Sequence, residues 1–465
     1  MSLNLTVEDI LKATKGILIK GNFKDKVDSI STDSRNIKKD DIFIALKGEK
    51  FDGHEFVKDA ILKGAKGVIV SRDVNLESEA FIIKVQDTLK ALQDIANYYL
   101  KTLNAKVIGV TGSSGKTTTK NLIGSLLRLI GKVYVSKENF NNEIGVPLSI
   151  LEAEKDVDFL VLEMAMRGKG EISLLSKIAE PDIGVITNIG WAHIGRLGSR
   201  EAIMEAKAEI FDYIKRDGIA ILNRDDSFSM KIYERLHIKK YTFGFEEGSD
   251  LRGLILDKGK ESYTLGLYFP DGKNLILSLP VYPLNIYRNL LSALLVLWSI
   301  SPESIYRVKE DFDFSLPKQR LDVKRNKDGL VIIDDTYNAN PDSMKTAIEY
   351  LEVLDVSRRK VALLGDMLEL GNYSIEEHKE VIEEVLKRNI DLVVLYGQEM
   401  KKALDEFEKT DWSKVHWSDN PEEIKSILRK ILKPKDVVLI KGSRAMHMED
   451  FVRFLEEEYD CSVKY

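Results

Sequence analysis

Short unbroken runs of valine, isoleucine and leucine alternate along this chain with longer stretches whose apolar positions recur at helical spacing. The run AKVIGVTG (105–112) is β-branched and ends in glycine, TTKNLIGSLLRLIG (118–131) is amphipathic, and KVYVS (132–136) returns to a strand pattern. Strand, glycine turn, helix, strand is the βαβ unit of a parallel sheet. VDFLVLEMA (157–165), PDIGVITNIG (181–190) and GIAILNRDD (218–226) predict further buried strands. The alternation resumes in GLVIIDDTYNANP (329–341), a helix from about Asp342, KVALLGD (360–366), a helix through Glu377 to Lys387, DLVVLYG (391–397) and DVVLIKGSRAM (436–446). An earlier segment, up to about Val85, strings together short strands and turns and closes with VKDAILKGAKGVIVS (57–71), read as helix, turn and strand; TLKALQDIANYYLKTL (88–103) then leads as a helix into the second segment. Two α/β sheets with loops at the carboxyl ends of their strands imply a ligand site between them.

The longest apolar run, LLSALLVLWSI (290–300), is shorter than the ~20 residues needed to cross a bilayer and predicts a buried core helix. The first residues, MSLNLTVEDILKATKG, lack the apolar core of a signal peptide. These features predict a cytoplasmic protein without a membrane partner. With 465 residues the chain has length for two to four domains, and three suit the pattern. Its 69 Lys and Arg against 75 Asp and Glu give a net charge of −6, which disfavours general nucleic-acid binding while leaving room for a local basic cleft. The single cysteine, Cys461, excludes an intramolecular disulfide and agrees with a reducing compartment.

The chemistry concentrates at VTGSSGKTTTKNLIG (110–124). Gly112 and Gly115, flanking Ser113 and Ser114, let the backbone approach an anion, and the helix that follows aims its unpaired amides at it. Lys116 is placed to neutralise β- and γ-phosphates and the Thr117 hydroxyl to reach magnesium, with Thr118 completing the turn. The first glycine of the common phosphate loop would fall at Val110, so this is a shortened form. Glu163 ends a neighbouring strand, where a carboxylate can hold magnesium against a nucleotide, although a plain surface glutamate is equally at home there. His193 lies in TNIGWAHIGRLGS just past another strand, where a capping or core histidine is the bland alternative. Lys207 is set among Ala206, Ile210 and Phe211, and most such lysines merely extend along an apolar face to water. A dinucleotide enzyme is disfavoured, because neither α/β segment carries G-x-G-x-x-G after its first strand.

TGSSGKTT, ENFNNEIGVP (138–147), LEMAMRGKGEI (162–172), TNIGWAHIGRLGS (187–199) and AKAEIF (206–211) follow one another as in the ATP-dependent Mur ligases of peptidoglycan synthesis, which the chain resembles over nearly its whole length. DDTYNANPDSM (334–344), LLGDMLELG (363–371) and KGSRAMHME (441–449) resemble the branch that adds D-alanyl-D-alanine to UDP-N-acetylmuramoyl tripeptide. STDSR and DGHEF are the main matches in the first segment. The expected fold is α/β in three domains: a small UDP-substrate-binding domain over 1–86, a central phosphate-loop ATPase domain with a mostly parallel sheet over 87–313, and a Rossmann-like domain over 314–465 that closes over the site and binds the dipeptide.

The resemblance implies ATP, two magnesium ions and carbon dioxide, the last as a carbamate on Lys207. It implies Lys116, Lys207, His193 and Arg320 as catalytic residues, and Thr117, Glu163, His193 and carbamylated Lys207 as metal ligands. Asn289, Asp335 and Arg320 join the phosphate loop in binding ATP. Asp33, Ser34 and Arg35 are implied near the UDP, Asn139, Asn141 and Asn142 near the sugar nucleotide, and Tyr337, Asn338 and Asn340 in substrate binding. Asp366 and His378 are candidates for the base that deprotonates the amine, each with a structural alternative. Two departures from the family pattern stand out: Leu284, where a histidine is usual before Asn285, and Trp191, where a smaller or acidic residue is expected. The expected state is a monomer. Competing readings are another Mur-type or folylpolyglutamate-type ligase, and a nucleotide-dependent regulatory switch without ligase activity.

Overall fold

The computed structural model describes residues 3–75, 77–308, 314, 316–354, 357–407 and 413–459. Cys461 lies outside them. Three α/β sheets follow one another along the chain. In the first, strands Ile42–Ile44, Gly67–Val70 and Phe81–Lys84 run parallel, and Ile17–Lys20 adds an antiparallel edge. The DGHEF turn is structural: buried His54 bonds Asp52 through Nδ1 at 2.6 Å and accepts from the Ser71 amide through Nε2 at 2.9 Å.

Helix Thr88–Leu100 is capped by Asp87 and leads to the nine-stranded central sheet. At its middle lie Lys106–Thr111, Phe159–Glu163 and Ile183–Ile186, all parallel and buried on both faces, which explains their unbroken apolar runs. One end of this sheet is an antiparallel meander, Leu251–Lys258, Ser262–Tyr268 and Asn274–Pro280, and in its last strand exposed and buried positions alternate because one face meets water. The helix expected at the apolar run spans Leu284–Ile300 and packs against helix Lys116–Leu127, sealing the core under the phosphate loop. Among the described residues no helix is long and apolar enough to cross a membrane.

The third sheet has six strands, with Val331–Asp334, Val437–Lys441, Lys360–Gly365, Leu392–Tyr396 and Val415–Ser418 parallel and Asp322–Arg325 antiparallel at the edge. The carboxyl ends of its strands face those of the central sheet. A cleft of about 530 Å³ opens between them, lined from both sides.

Candidate functional site

The phosphate loop joins strand Lys106–Thr111 to helix Lys116–Leu127. Gly115 has φ 76°, and a Cβ there would come within 2.5 Å of Asn289 Oδ1; at Gly112 a Cβ would lie 1.8 Å from Thr187 Oγ1. Both positions therefore exclude a side chain. Asn188 braces the loop: its Oδ1 accepts from the Ser113 and Ser114 amides at 3.1 and 3.0 Å, and its Nδ2 donates to Ser114 Oγ at 2.7 Å. The first turn of the helix leaves its remaining amides toward the cleft, as an anion site requires.

Lys116 Nζ donates to Gly112 O at 2.9 Å, and its enclosed amino end is pushed below the usual lysine range chiefly by burial, with Glu163 opposing and Arg320 adding to the shift. Thr117 Oγ1 donates to Glu163 Oε2 at 2.8 Å and accepts from Arg320 Nη2 at 3.0 Å. Asn141 Nδ2 donates to the other Glu163 oxygen at 3.0 Å. Burial works to raise the Glu163 pKa, but Lys116 and Lys120 together with these hydrogen bonds win, and the carboxyl stays ionised below its ordinary range. A hydroxyl and an ionised carboxylate this close are oxygen donors of the kind magnesium takes, so the pair fits such an ion.

Lys120 was not anticipated as part of this site. Its buried ammonium donates to Ser136 O at 2.7 Å and lies 3.6 Å from Glu163 Oε2. Its place one helical turn beyond Lys116 was the available signal.

Lys207, for which a side chain extending along an apolar face to water was the ordinary alternative, is buried at 1 % exposure, and its Nζ donates to Gly112 O at 2.9 Å. Burial and then the Lys116 charge hold its pKa well below the usual lysine value. His193 adopts a left-handed backbone, φ 66°, and its ring is lowered to about 4 by burial and by the Lys116 and Lys207 charges, against the opposing pull of Glu369. Nδ1 of this ring lies 2.9 Å from Glu369 Oε2 of the third sheet's loops, a partner that the sequence reading missed although LLGDMLELG was singled out.

The third sheet brings Arg320, Asp335, Tyr337, Asn338 and Asn340 to the same cleft. The Arg320 guanidinium stacks 4.1 Å above the Tyr337 ring. Tyr337 OH donates to Asn139, which is itself left-handed at φ 69°. Asn340 caps helix Pro341–Val353 and reaches toward Ser113 O. Asp335 pairs with buried Lys441 at 2.7 Å and accepts from the Leu321 amide, while Lys441 also donates to Asn338 O. Asn289 lies against Gly115 of the phosphate loop. Asn285 spends its amide on Thr346 and its oxygen on Arg288, so the Leu284 departure leaves that asparagine as a bridge between domains. The Trp191 amide donates to Asp342 Oδ2 at 3.1 Å, and its ring lies 5.7 Å from that of Tyr373, which gives the second unusual position a docking role.

Other expectations are not gathered here. Asp33 and Arg35 bond to each other in a local turn, and Lys63 donates to Ser34 O, all within the first domain. Asn142 Oδ1 accepts from the Ile144 and Gly145 amides, at the start of a helix. Both candidate bases are structural in this conformation. His378 is fully buried with Nε2 accepting from the Met367 amide and Nδ1 at 2.7 Å from Ser374 O; Asp366 accepts from the Glu399 and Met400 amides at a helix start.

Comparison with known proteins agrees with this architecture. The Mur ligase middle domain matches residues 110–297, the Mur ligase glutamate ligase domain 319–444, and the Mur ligase family catalytic domain 26–100. The chain is 37% identical to the UDP-N-acetylmuramoyl-tripeptide–D-alanyl-D-alanine ligase of Bacillus subtilis (strain 168), over 97% of this chain and 98% of the relative. A crystal structure of MurF from Acinetobacter baumannii superimposes with TM-score 0.88 at 32% identity, covering 97% of this chain and 98% of that one. MurF ligase from Thermotoga maritima in complex with ADP does so with TM-score 0.81 at 33% identity, covering 93% and 98%. Three matched domains in order, together with full-length relatives above 30% identity, show that the chain belongs to the Mur ligase family.

Proposed function

We propose that the protein is an ATP-dependent amide ligase that joins D-alanyl-D-alanine to the terminal carboxylate of UDP-N-acetylmuramoyl tripeptide, yielding ADP and phosphate in peptidoglycan precursor synthesis. The observation that carries this reading is the convergence on Thr117, whose hydroxyl meets Glu163 from the central sheet and Arg320 from the third. The relatives' names supply the substrates, and the ADP complex of the Thermotoga maritima enzyme supports ATP as the nucleotide. We take the domains as 1–86, 87–313 and 314–465, with the UDP moiety at Asp33, Ser34 and Arg35, and the chain as a cytoplasmic monomer.

A carboxylate is a poor electrophile with no leaving group. Attack of its oxygen on the γ-phosphate of ATP forms an acyl phosphate and releases ADP; the dipeptide amine then attacks the acyl carbon and expels phosphate. The first step brings anions together, so Lys116 and Arg320 are placed to offset their repulsion and the charge that develops in transfer. The second step needs an aligned, uncharged amine and a dry cleft; closing of the third domain would supply the alignment and exclude water. Magnesium would add charge neutralisation at the phosphates: Thr117 and Glu163 would hold one ion, and His193 with Lys207 as a carbamate a second. A lysine amine in its neutral form attacks the carbon of carbon dioxide and releases a proton, and the carbamate so formed would supply anionic oxygens to the ion.

The test is phosphate release from ATP by the purified protein with tripeptide substrate, with dipeptide, and with both. Release that requires both supports the ligase; release indifferent to either would return the protein to the class of nucleotide switches. A panel of amino-acid and glutamate acceptors separates the other ligases of this fold.

A further inference from the structure

The contact between His193 and Glu369 is built from both domains and from both main chains. Glu369 Oε2 lies 2.9 Å from His193 Nδ1, and Oε1 lies 3.2 Å from Arg196 Nη2. The Glu369 carbonyl accepts from the Gly195 amide at 3.0 Å, so close that a Cβ on Gly195 would come within 2.6 Å of that oxygen. Two non-glycine residues in the left-handed region, His193 at φ 66° and Glu369 at φ 67°, thus meet side chain to side chain across the domain junction. L-residues rarely hold such backbones unless the surroundings over-determine them, and these clusters favour functional sites.

As a stability element the pair is weak, because the two side chains are 24% and 43% exposed and such ion pairs contribute little. Its chemistry fits another purpose. An imidazole that ligates a metal through one nitrogen regularly donates its other N–H to a carboxylate, which sets the tautomer and the ring direction. Among the described residues Glu369 is the one hydrogen-bond partner of this ring, and with Nδ1 on Glu369 the Nε2 nitrogen carries the free lone pair.

We propose that Glu369 is a positioning residue for His193: the third domain, by docking, turns the imidazole so that Nε2 is presented to the cleft as a metal ligand. The inference rests on the reading of His193 as a magnesium ligand. It makes completion of that metal site depend on domain docking, since the carboxylate that orients the ligand arrives only with the third domain.

The test uses manganese as a paramagnetic stand-in for magnesium, bound to the full chain with a non-hydrolysable ATP analogue. Pulsed electron paramagnetic resonance reads imidazole nitrogen coupling to the ion, and titration reads its affinity. The wild type is expected to show the coupling and His193→Ala to lose it. Glu369→Ala and Glu369→Gly should lose the coupling and bind the ion ~10–100-fold more weakly. The glycine variant is at ease with the left-handed backbone, so its loss reports the side chain and not the strain. Glu369→Gln, which still accepts from Nδ1–H, should recover part of both signals. Unchanged coupling and affinity in the alanine and glycine variants, with loss in His193→Ala, would overturn the role of Glu369 alone. Absence of nitrogen coupling in the wild type would overturn the metal role of His193 and this inference with it.

Discussion

Lys116 and Lys207 donate to the same atom, the Gly112 carbonyl oxygen, each at 2.9 Å. Two ammonium groups sharing one acceptor repel each other, and burial penalises both charges, more completely for Lys207. Loss of a proton from Lys207, or its conversion to an anion that attracts its neighbour, would relieve that repulsion. Replacing Lys207 by alanine should lower kcat by about 10²–10³-fold, the scale for losing one preorganised electrostatic group. Added short-chain carboxylic acids should restore part of it if a carbamate is the working form, as phosphate-release rates would show; full activity without them would leave the lysine a structural donor.

Arg320 crosses between domains to Thr117 while its plane rests on Tyr337. Arg320→Lys keeps a charge but loses the stacked fork geometry. We expect kcat to fall by roughly 10²-fold, with nucleotide affinity, measured by calorimetry on the separate binding step, changed far less. A change confined to affinity would place Arg320 in ground-state binding only.

Gly195 is where backbones of the two domains touch, with Glu369 O and the Gly371 amide each 2.6 Å from the position a Cβ would take. Main-chain atoms cannot step aside as a flexible side chain can. Gly195→Ala should therefore hold the third domain away, lowering kcat while nucleotide binding to the phosphate loop persists. Small-angle scattering would show a larger radius of gyration than the wild type with nucleotide bound; equal radii would show that the junction can yield.

Glu377 is buried at 2% exposure with Oε2 unpartnered, and burial followed by the Glu380 charge raises its pKa to about 7 from 4.5. Because the folded value is the higher one, the folded state binds more protons than the unfolded state between these values, and stability falls as pH rises from about 4.5 to about 7. Glu377→Gln removes this loss. Its stability relative to the wild type should improve by on the order of 1–3 kcal/mol between pH 4.5 and pH 8, read from urea denaturation midpoints; a difference independent of pH would refute the assignment.

Lys120 and Glu163 form a buried ion pair, with the ammonium also bonded to Ser136 O. Lys120→Met leaves Glu163 with one counter-charge fewer in a dry setting. The expected cost is about 3–5 kcal/mol of unfolding free energy, measurable by denaturant titration without ligand, whereas a cost below about 1 kcal/mol would mean that Lys116 alone neutralises the carboxylate.

The strands and helices around the phosphate loop were legible because burial on both faces produces unbroken apolar runs that need no knowledge of distant residues. The meander from Leu251 to Pro280 was not identified: its alternation is weaker, and its strands pair with one another at the sheet's end instead of being enclosed. Thr117 and Glu163 were singled out from loop and strand-end positions, and the structure brings them into contact. Asn188 was not, since bracing two loop amides is a role that many asparagines at strand ends could fill.

His378 and Asp366 show the limit from the other side. Their residue types suit proton transfer, yet backbone amides and a carbonyl consume their lone pairs and ring proton, which only the packed loops around them determine.

By itself the sequence determined the α/β class, the order of the three units, the phosphate loop and the family, because hydrophobic periodicity and motif spacing are local properties of the chain. Only the tertiary structure decided that Lys116 and Lys207 share an oxygen, that Lys120 is charge-paired in the interior, and that His193 is met by Glu369, 176 residues away. Those outcomes depend on burial and on charges brought together by closure of one sheet over another, and no local pattern encodes the distance between two segments that touch only after folding.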